Sequence, residues 1–497
     1  MDVYLLHAGE PDAVKLADML AVKHGRSLPQ GEAPETVIRW GVIAPEPGEG
    51  HVMNPLAAAL RCMRRASRNE LLALHGLKPA PPPDRQPAGF AHEFFVPVFH
   101  LQALALYERE RPSSLVLVGP TRHPGRFAER MEFPLRHDGG ALPVAFAEAD
   151  SAEAEGEKLG FHGKRAVREA VKALYALGLD YGLVRIGVTP EGRTCVADVL
   201  PFPRLTKRLT ALFAEAIGFY ASELAEDRRR GSRALRLGAD PEFVLMRGGK
   251  VAFASRYLDK EGEAGWDNVM LPGRQTITPL AELRPEPSPD PRELLRGIRR
   301  AMRIAAERIG DPRIRWLAGG MPVRGLPIGG HVHISGITLS SRLLRLLDNY
   351  TALPLVLLEG AGAGRRRPKY GFLGDFRRQP HGGFEYRTLP SWLADPELAL
   401  GVLALVRVVA AHRRELGKRP LAHPDVQRAY YAGDKAALLP HARELWRDLE
   451  ATGEYAAYAD ALEPLKARVL GMQALDESED IRVKWGMDGV PAGRRRG

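Results

Sequence analysis

Cysteine is scarce in this chain, with Cys62 and Cys195 the only two among 497 residues. Two thiols cannot build a disulfide framework at this length, nor a cysteine-based zinc cluster. Long apolar runs are lacking as well. No segment approaches the ~20 residues that a membrane helix needs, and the run from Leu353 to Leu358 is short enough to be core. The first twenty residues, MDVYLLHAGEPDAVKLADML, have no basic leading region and are broken by charges, which reads against a signal peptide. The expected compartment is the cytoplasm, with no membrane partner. Nucleic-acid motifs are missing too: there is no zinc finger, no clear helix-turn-helix and no basic stripe interleaved with aromatics. The net charge of +10 sits largely in scattered or terminal arginines such as Arg228 to Arg230 and Arg494 to Arg496. That is weak ground for a nucleic-acid partner.

What is present fits two or three soluble domains, with 45% hydrophobic and 27% charged residues. The first half reads as mixed α/β. Strands are expected at Tyr4-Leu5-Leu6, at Val37 to Gly41 and at Ser114 to Gly119. Helices are expected over Ala13 to Val22, from Asn54 through Met63, over Lys164 to Leu177 and over Leu205 to Leu224. Tyr181 to Val188 and Thr194 to Val199 flank the turn Pro190-Glu191-Gly192 and make a hairpin. The proline-rich stretch from Pro79 to Pro87 reads as a loop, Arg122 to Gly140 shows no clean period, and the charge run over residues 226–233 reads as a linker.

The second half carries the chemistry. Four expected strands repeat one device, two polar residues at i and i+2 with apolar residues between and behind them. The pairs are Asp240/Glu242, Glu282/Arg284, His331/His333 and Glu385/Arg387. The strand period puts each pair on one face. A single such pair is most often a surface salt bridge, worth ~0–1 kcal/mol, and a lone H-x-H divides between a metal site and a hydrogen-bonded pair. Four within about 150 residues, two beside double glycines, are harder to dismiss. In a shared sheet they would collect carboxylates, imidazoles and guanidiniums on one self-repelling face that needs cations. Carboxylates with a minority of imidazoles suit Mg2+ or Mn2+, and neighbouring arginines suit polyphosphate. The densest stretch, YGFLGDFRRQPHGGFEYRTLPSW from Tyr370 to Trp392, adds Asp375, Arg377, Arg378 and His381. Arg365 to Arg367, Lys369 and Arg377 could extend a phosphate clamp, although a solvated basic loop is a better reading of the run Arg365 to Arg367 than of Arg377. Beyond Pro396 the pattern is helical, over Glu397 to Arg414, Ala436 to Leu449 and Tyr455 to Met472.

Two stretches resemble known families. The order helix, ALGLDYGLVRIGV, turn, GRTCVADVLPFPRL, helix looks like the end of an ATP-grasp domain over residues 35–222. Asp198 matches that family's acidic metal ligand, but Leu200 stands where its asparagine belongs, and no lysine strand or glycine-rich flap is evident. The resemblance implies a degenerate domain that is structural or substrate-binding. The motifs GADPEF (238–243), AELRP (281–285), GGHVHISG (329–336), RRPKYGFLGDFR (366–377) and GGFEYRTLPSWL (382–393) resemble the phage-type COOH–NH2 ligase (type 2 amidoligase) family of the glutamine synthetase/glutamate–cysteine ligase superfamily.

This second resemblance implies an α+β fold. A glutamine synthetase-like curved antiparallel sheet with helices behind it would occupy residues 234–395. An α/β ATP-grasp-like domain (1–225) and the linker (226–233) would precede it, and a helical extension (396–477) and a flexible basic tail (478–497) would follow. It implies ATP and Mg2+ (or Mn2+) as cofactors. Glu242, Glu282, His333, Glu385, Asp240 and His331 would be metal ligands, with Arg284, Arg377 and Arg387 on phosphates or the substrate carboxylate. Lys369 and Arg367 would add to nucleotide binding, and the general base that the reaction needs would be Asp375 or a carboxylate not engaged with metal. The implied reaction makes an amide or peptide-like bond through an acyl phosphate, from small-molecule or peptide carboxylate and amine substrates. A phosphoryl transferase of the guanidino-kinase kind on the same sheet, or a non-catalytic nucleotide-binding scaffold, are the alternatives. Whether the chain forms a homo-oligomer stays open.

Overall fold

The protein is described here from a computed structural model, which covers residues 3–20, 22–29, 34–43, 51–81, 89–110, 114–117, 159–270, 276–360, 362–380 and 382–489. His381, the Arg122 to Gly140 stretch, most of the proline-rich segment and Arg494 to Arg496 lie outside the described residues. The chain divides into two compact units, Met1–Arg229 and Arg230–Gly497.

The first unit holds two sheets. β1 (Val3–His7), β2 (Lys23–Gly25), β3 (Thr36–Trp40) and β4 (His51–Met53) form a parallel sheet in the order β2-β1-β3-β4. β5 (His92–Phe99), β6 (Gln102–Ala103), β7 (Tyr107–Glu110), β8 (Ser114–Leu117), β9 (Tyr181–Val188) and β10 (Thr194–Leu200) form an antiparallel sheet, ordered β10-β9-β5-β7-β8 with β6 on β5. Helices α1 (Pro11–Asp18), α2 (Leu56–Met63), α3 (Arg65–Leu74), α4 (Phe161–Ala176) and α5 (Lys207–Arg230) cover them. The expected hairpin is β9–β10. Asp198 on β10 is taken up by Arg68, with Nη1 and Oδ1 2.5 Å apart. The charge run expected as a linker is helical as far as Arg230. Glu226 and Arg229 stand one turn apart on α5 and pair at 2.6 Å, which is the spacing at which opposite charges support a helix.

The second unit is built on β11 (Arg236–Arg247), whose twelve residues serve two neighbours along each edge. The remaining strands are β12 (Lys250–Ala252), β13 (Ala264–Met270), β14 (Thr276–Leu283), β15 (Ile314–Leu317), β16 (Gly330–Ser335), β17 (Phe376–Arg378) and β18 (Phe384–Tyr386). The order is β13-β14-β11-β16-β18-β17, with β12 and β15 also on β11, and every pairing is antiparallel. Alternation is strict at the centre. Phe243, Leu245, Val332, Ile334, Phe384 and Tyr386 are buried on one face, and Phe243 stacks on Trp316 at 4.7 Å. The polar pairs point the other way.

Helices support the sheet. α6 (Pro291–Ile309) opens on Asp290, whose side chain caps the Arg292 N–H, and closes on left-handed Gly310. α7 (Ser341–Leu347) runs through a π-helical turn at Asp348–Ala352 into α8 (Leu353–Val356). α9 (Pro396–Ala411), α10 (Pro424–Ala432), α11 (Lys435–Glu450) and α12 (Ala459–Leu470) complete the helical part, and α13 (Ile481–Trp485) follows. α13 departs from the expected flexible tail. Trp485 is wholly buried and donates its indole N–H to the Leu393 carbonyl at 2.8 Å. Asp480 caps the helix and also accepts from the Trp316 N–H at 3.2 Å. The lysine and arginines of this segment made it read as tail, whereas one indole and one cap tie it down.

Trp485→Ala should therefore destabilise the second unit by about 3–5 kcal/mol, the usual loss for deleting a buried tryptophan. Urea unfolding followed by circular dichroism measures this, and an unchanged midpoint would mean that the segment is not docked.

Candidate active site

Register brings the expected residues together. Glu242 on β11 lies opposite Glu282 on β14. Asp240 lies opposite His331 on β16, His333 opposite Glu385 on β18, and Glu385 opposite Arg377 on β17. One polar face thus runs across five strands, from β14 through β11, β16 and β18 to β17. It is largely withdrawn from water: Asp240, Glu242, Glu282 and His331 are buried and Glu385 has no exposed surface.

Two clusters stand on this face. In the first, Asp240, His331 and Glu385 each offer an atom within 4.8 Å of the others. His331 Nδ1 is 3.4 Å from Asp240 Oδ1 and 3.3 Å from Glu385 Oε1. All three of these atoms are buried, and none has a well-directed hydrogen bond among the described residues. His333 Nε2, 3.1 Å from Asp240 Oδ2, is in the same condition. Unsatisfied buried polar atoms are expensive, and a convergent carboxylate–imidazole–carboxylate set is what a hard divalent cation would satisfy. In the second cluster Glu242, Asp267 and Glu282 converge in the same way. Here Glu242 Oε2 also accepts the Gly329 N–H at 2.7 Å.

The arginines flank these carboxylates. Arg377 donates from Nε to Glu385 Oε2 at 2.6 Å, Arg387 Nε is 3.0 Å from Glu385 Oε1, and Arg284 pairs with Glu282. Asp375 precedes β17, and its backbone carbonyl accepts the Arg387 N–H at 2.9 Å. The double glycine at Gly329-Gly330 serves this packing. A Cβ on Gly329 would fall 2.1 Å from His331 Nε2, and one on Gly330 2.4 Å from the Pro390 carbonyl oxygen.

The structure sets Arg367 elsewhere. It is buried, forks onto both Glu359 oxygens at 2.5 and 2.8 Å, and lies 4.8 Å over the Tyr430 ring. Arg366 is buried too, donating to the Thr388 and Leu389 carbonyls at 2.9 and 2.8 Å. Neither belongs to a solvated loop. Arg367, whose fork is filled by Glu359, is not free to clamp a nucleotide. Lys369 is exposed, its ammonium 5.3 Å from the centre of the Tyr370 ring. Sequence reasoning missed Asp267 and Gln379. Asp267 sits beside a register shift in β13, where alternation breaks down. Gln379, at the turn after β17, donates to Glu385 Oε2 at 3.1 Å.

Charge on charge shifts the titration of these groups. Burial alone would raise the Asp240 carboxyl, but His331 and His333 beside it hold it well below the usual carboxylate range. Burial raises Glu242. Burial and then the Asp240 charge push Glu282 up to about 8. Burial would lower His331, yet Asp240, Glu242 and Glu385 carry it up to about 9.

Residues 237–487 match the family model described as phage phiEco32-like COOH·NH2 ligase-type 2. No curated protein matches. Among solved structures, the ATP-grasp ligase PsnB complexed with minimal precursor is 11% identical, covering 46% of this chain and 99% of that one at a TM-score of 0.28. The macrocyclase MdnC bound with precursor peptide MdnA, from Microcystis aeruginosa MRC, is 10% identical over 44% and 99%, with a TM-score of 0.25. A bifunctional glutathione synthetase from Pasteurella multocida is 9% identical over 52% and 49%, with a TM-score of 0.31.

Two expectations test the site as drawn. Glu282 and His331 both bind protons more tightly folded than unfolded. The stability they contribute is complete below their ordinary values of 4.5 and 6.5 and is lost as pH rises through about 8 and about 9. The melting temperature of the cation-free protein should therefore fall between about pH 5 and pH 9, and Glu282→Gln should flatten the part below pH 8; parallel curves would contradict the shift. Separately, Arg367→Ala should cost about 3–5 kcal/mol by leaving Glu359 buried and unpaired. Glu359→Gln in the same background should recover part of that loss in urea titrations.

Proposed function

Because the chain belongs to the phage phiEco32-like COOH·NH2 ligase-type 2 family, and is thereby an ATP-dependent amide-forming ligase, we propose that it joins its carboxylate and amine substrates on the polar face of the second unit. The observation that carries this reading is the convergence of Asp240, His331 and Glu385, whose buried Oδ1, Nδ1 and Oε1 atoms lack well-directed hydrogen bonds among the described residues, beside two arginines.

On this reading Asp240, His331 and Glu385, with His333 at their edge, hold one divalent cation, Mg2+ or Mn2+. Glu242, Asp267 and Glu282 hold a second. Bound there, such cations neutralise phosphoryl oxygens as charge moves during transfer. Arg284, Arg377 and Arg387, each partly exposed at the rim of the buried carboxylates, bind the polyphosphate or the substrate carboxylate and fix it in line. An oxygen of the substrate carboxylate attacks the γ-phosphorus of ATP, the bond to the bridging oxygen breaks, and ADP leaves from an acyl phosphate. The amine nitrogen then attacks the acyl carbon, and phosphate departs with the electrons of the C–O bond. Asp375, half-buried beside Arg387, takes the amine proton. The substrates proposed are small molecules or peptides bearing the two groups.

ATP turnover with Mg2+ and pooled amino acids and short peptides tests this. ADP and phosphate should appear in equal amounts only when a carboxylate and an amine are both present. Glu385→Gln should lower the rate by roughly a hundredfold or more. ADP formed with a stable phosphorylated product and no amine requirement would replace the ligase with a kinase.

A further inference from the structure

Glu385 is surrounded by more positive charge than one carboxylate needs. Its Oε2 accepts from Arg377 Nε at 2.6 Å, from Arg377 Nη2 and from Gln379 Nε2 at 3.1 Å. Its Oε1 lies 3.0 Å from Arg387 Nε and 3.3 Å from His331 Nδ1. Glu385 is also a member of the first cation cluster, and its Oε1 lacks a well-directed hydrogen bond among the described residues. A guanidinium and a divalent cation on one buried carboxylate repel each other strongly, because little water screens them. Of the two arginines, Arg377 is better placed to leave. Its side chain is 46% exposed, and it stems from three-residue β17 at the edge of the sheet. Glu385 itself has no exposure, so an arriving divalent cation would replace the positive charge that leaves with Arg377, while Arg387 and His331 stay beside Oε1. A guanidinium turned outward finds a bidentate partner in a polyphosphate.

We infer that Arg377 is the resident counter-ion of Glu385 in the cation-free enzyme, and that it exchanges onto the phosphates of the nucleotide as a divalent cation takes the carboxylate. The inference rests on the metal–nucleotide reading of the site. It makes cation and nucleotide bind cooperatively, each removing the obstacle to the other, with the coupling equal in both directions. Gln379 retains Oε2 during the exchange and keeps the carboxylate oriented.

The test uses the full chain as wild type, Arg377→Ala and Arg378→Ala, each checked for folding by circular dichroism. Binding of Mn2+ alone is read from the electron paramagnetic resonance of the free ion. Binding of adenylyl imidodiphosphate with saturating Mn2+ is read by calorimetry. Arg377→Ala should bind Mn2+ alone at least fivefold tighter than wild type, yet bind the Mn2+–nucleotide pair more weakly. Arg378→Ala removes a neighbouring charge on the opposite strand face and should leave Mn2+ affinity within twofold. The exchange is overturned if Arg377→Ala gains no Mn2+ affinity while wild type binds the pair, or if Arg378→Ala gains as much. If no form binds Mn2+ or the pair, the metal–nucleotide reading falls, and the exchange with it.

Discussion

Packing five carboxylates and two imidazoles onto one poorly hydrated sheet face is the constraint on which this protein turns. Asp240, Glu242, Asp267, Glu282 and Glu385 converge there with His331 and His333. Hydrophobic burial cannot stabilise such a face, and like charges at these separations repel. The molecule answers with imidazoles between carboxylates, arginines at the rim and a carboxyl that keeps its proton up to about pH 8. These measures leave several buried atoms without hydrogen bonds. On the proposed reading, divalent cations would satisfy that remainder.

The apolar side of the sheet and its connections supply the rigidity that such a site requires. Tyr386, facing away from the site, donates to buried Asp348 at 2.8 Å, and Asp348 opens the π-helical turn after α7. Ser391 Oγ donates to the Glu242 carbonyl at 2.6 Å, and the Trp392 indole to the Gly330 carbonyl at 2.9 Å. Arg366 fastens the backbone at Thr388 and Leu389. Glu477 accepts the Gly320 and Met321 N–H groups at 2.7 and 3.1 Å, so the C-terminal segment fixes the chain leading into β16. Much of the charge that reads as surface in the sequence serves this scaffold.

What could be read directly from the sequence followed from the two-residue period of a strand. Asp240/Glu242, His331/His333 and Glu385/Arg387 had to share faces once their strands existed, and antiparallel register then brought those faces together. The order of the motifs pointed to the family. Partners across space were not legible. Asp267 stands in a strand whose alternation is broken by a register shift, and nothing local marks it. Arg367 misled because a run of arginines carries no sign of Glu359, eight positions earlier, closing on it. Residues 226–230 and 481–485 depart from the linker and tail expectations for a related reason. Composition suggests solvent, but a helical ion pair at Glu226/Arg229 and the buried Trp485 indole outweigh it.

The central claim, that this face is completed by divalent cations, is tested most directly by anomalous diffraction from crystals grown with Mn2+ and a non-hydrolysable ATP analogue. The account predicts a manganese peak within coordination distance, about 2.0–2.3 Å, of Asp240, His331 and Glu385. Density showing manganese only elsewhere on the molecule, with these three side chains still paired to one another and to arginine, would contradict it.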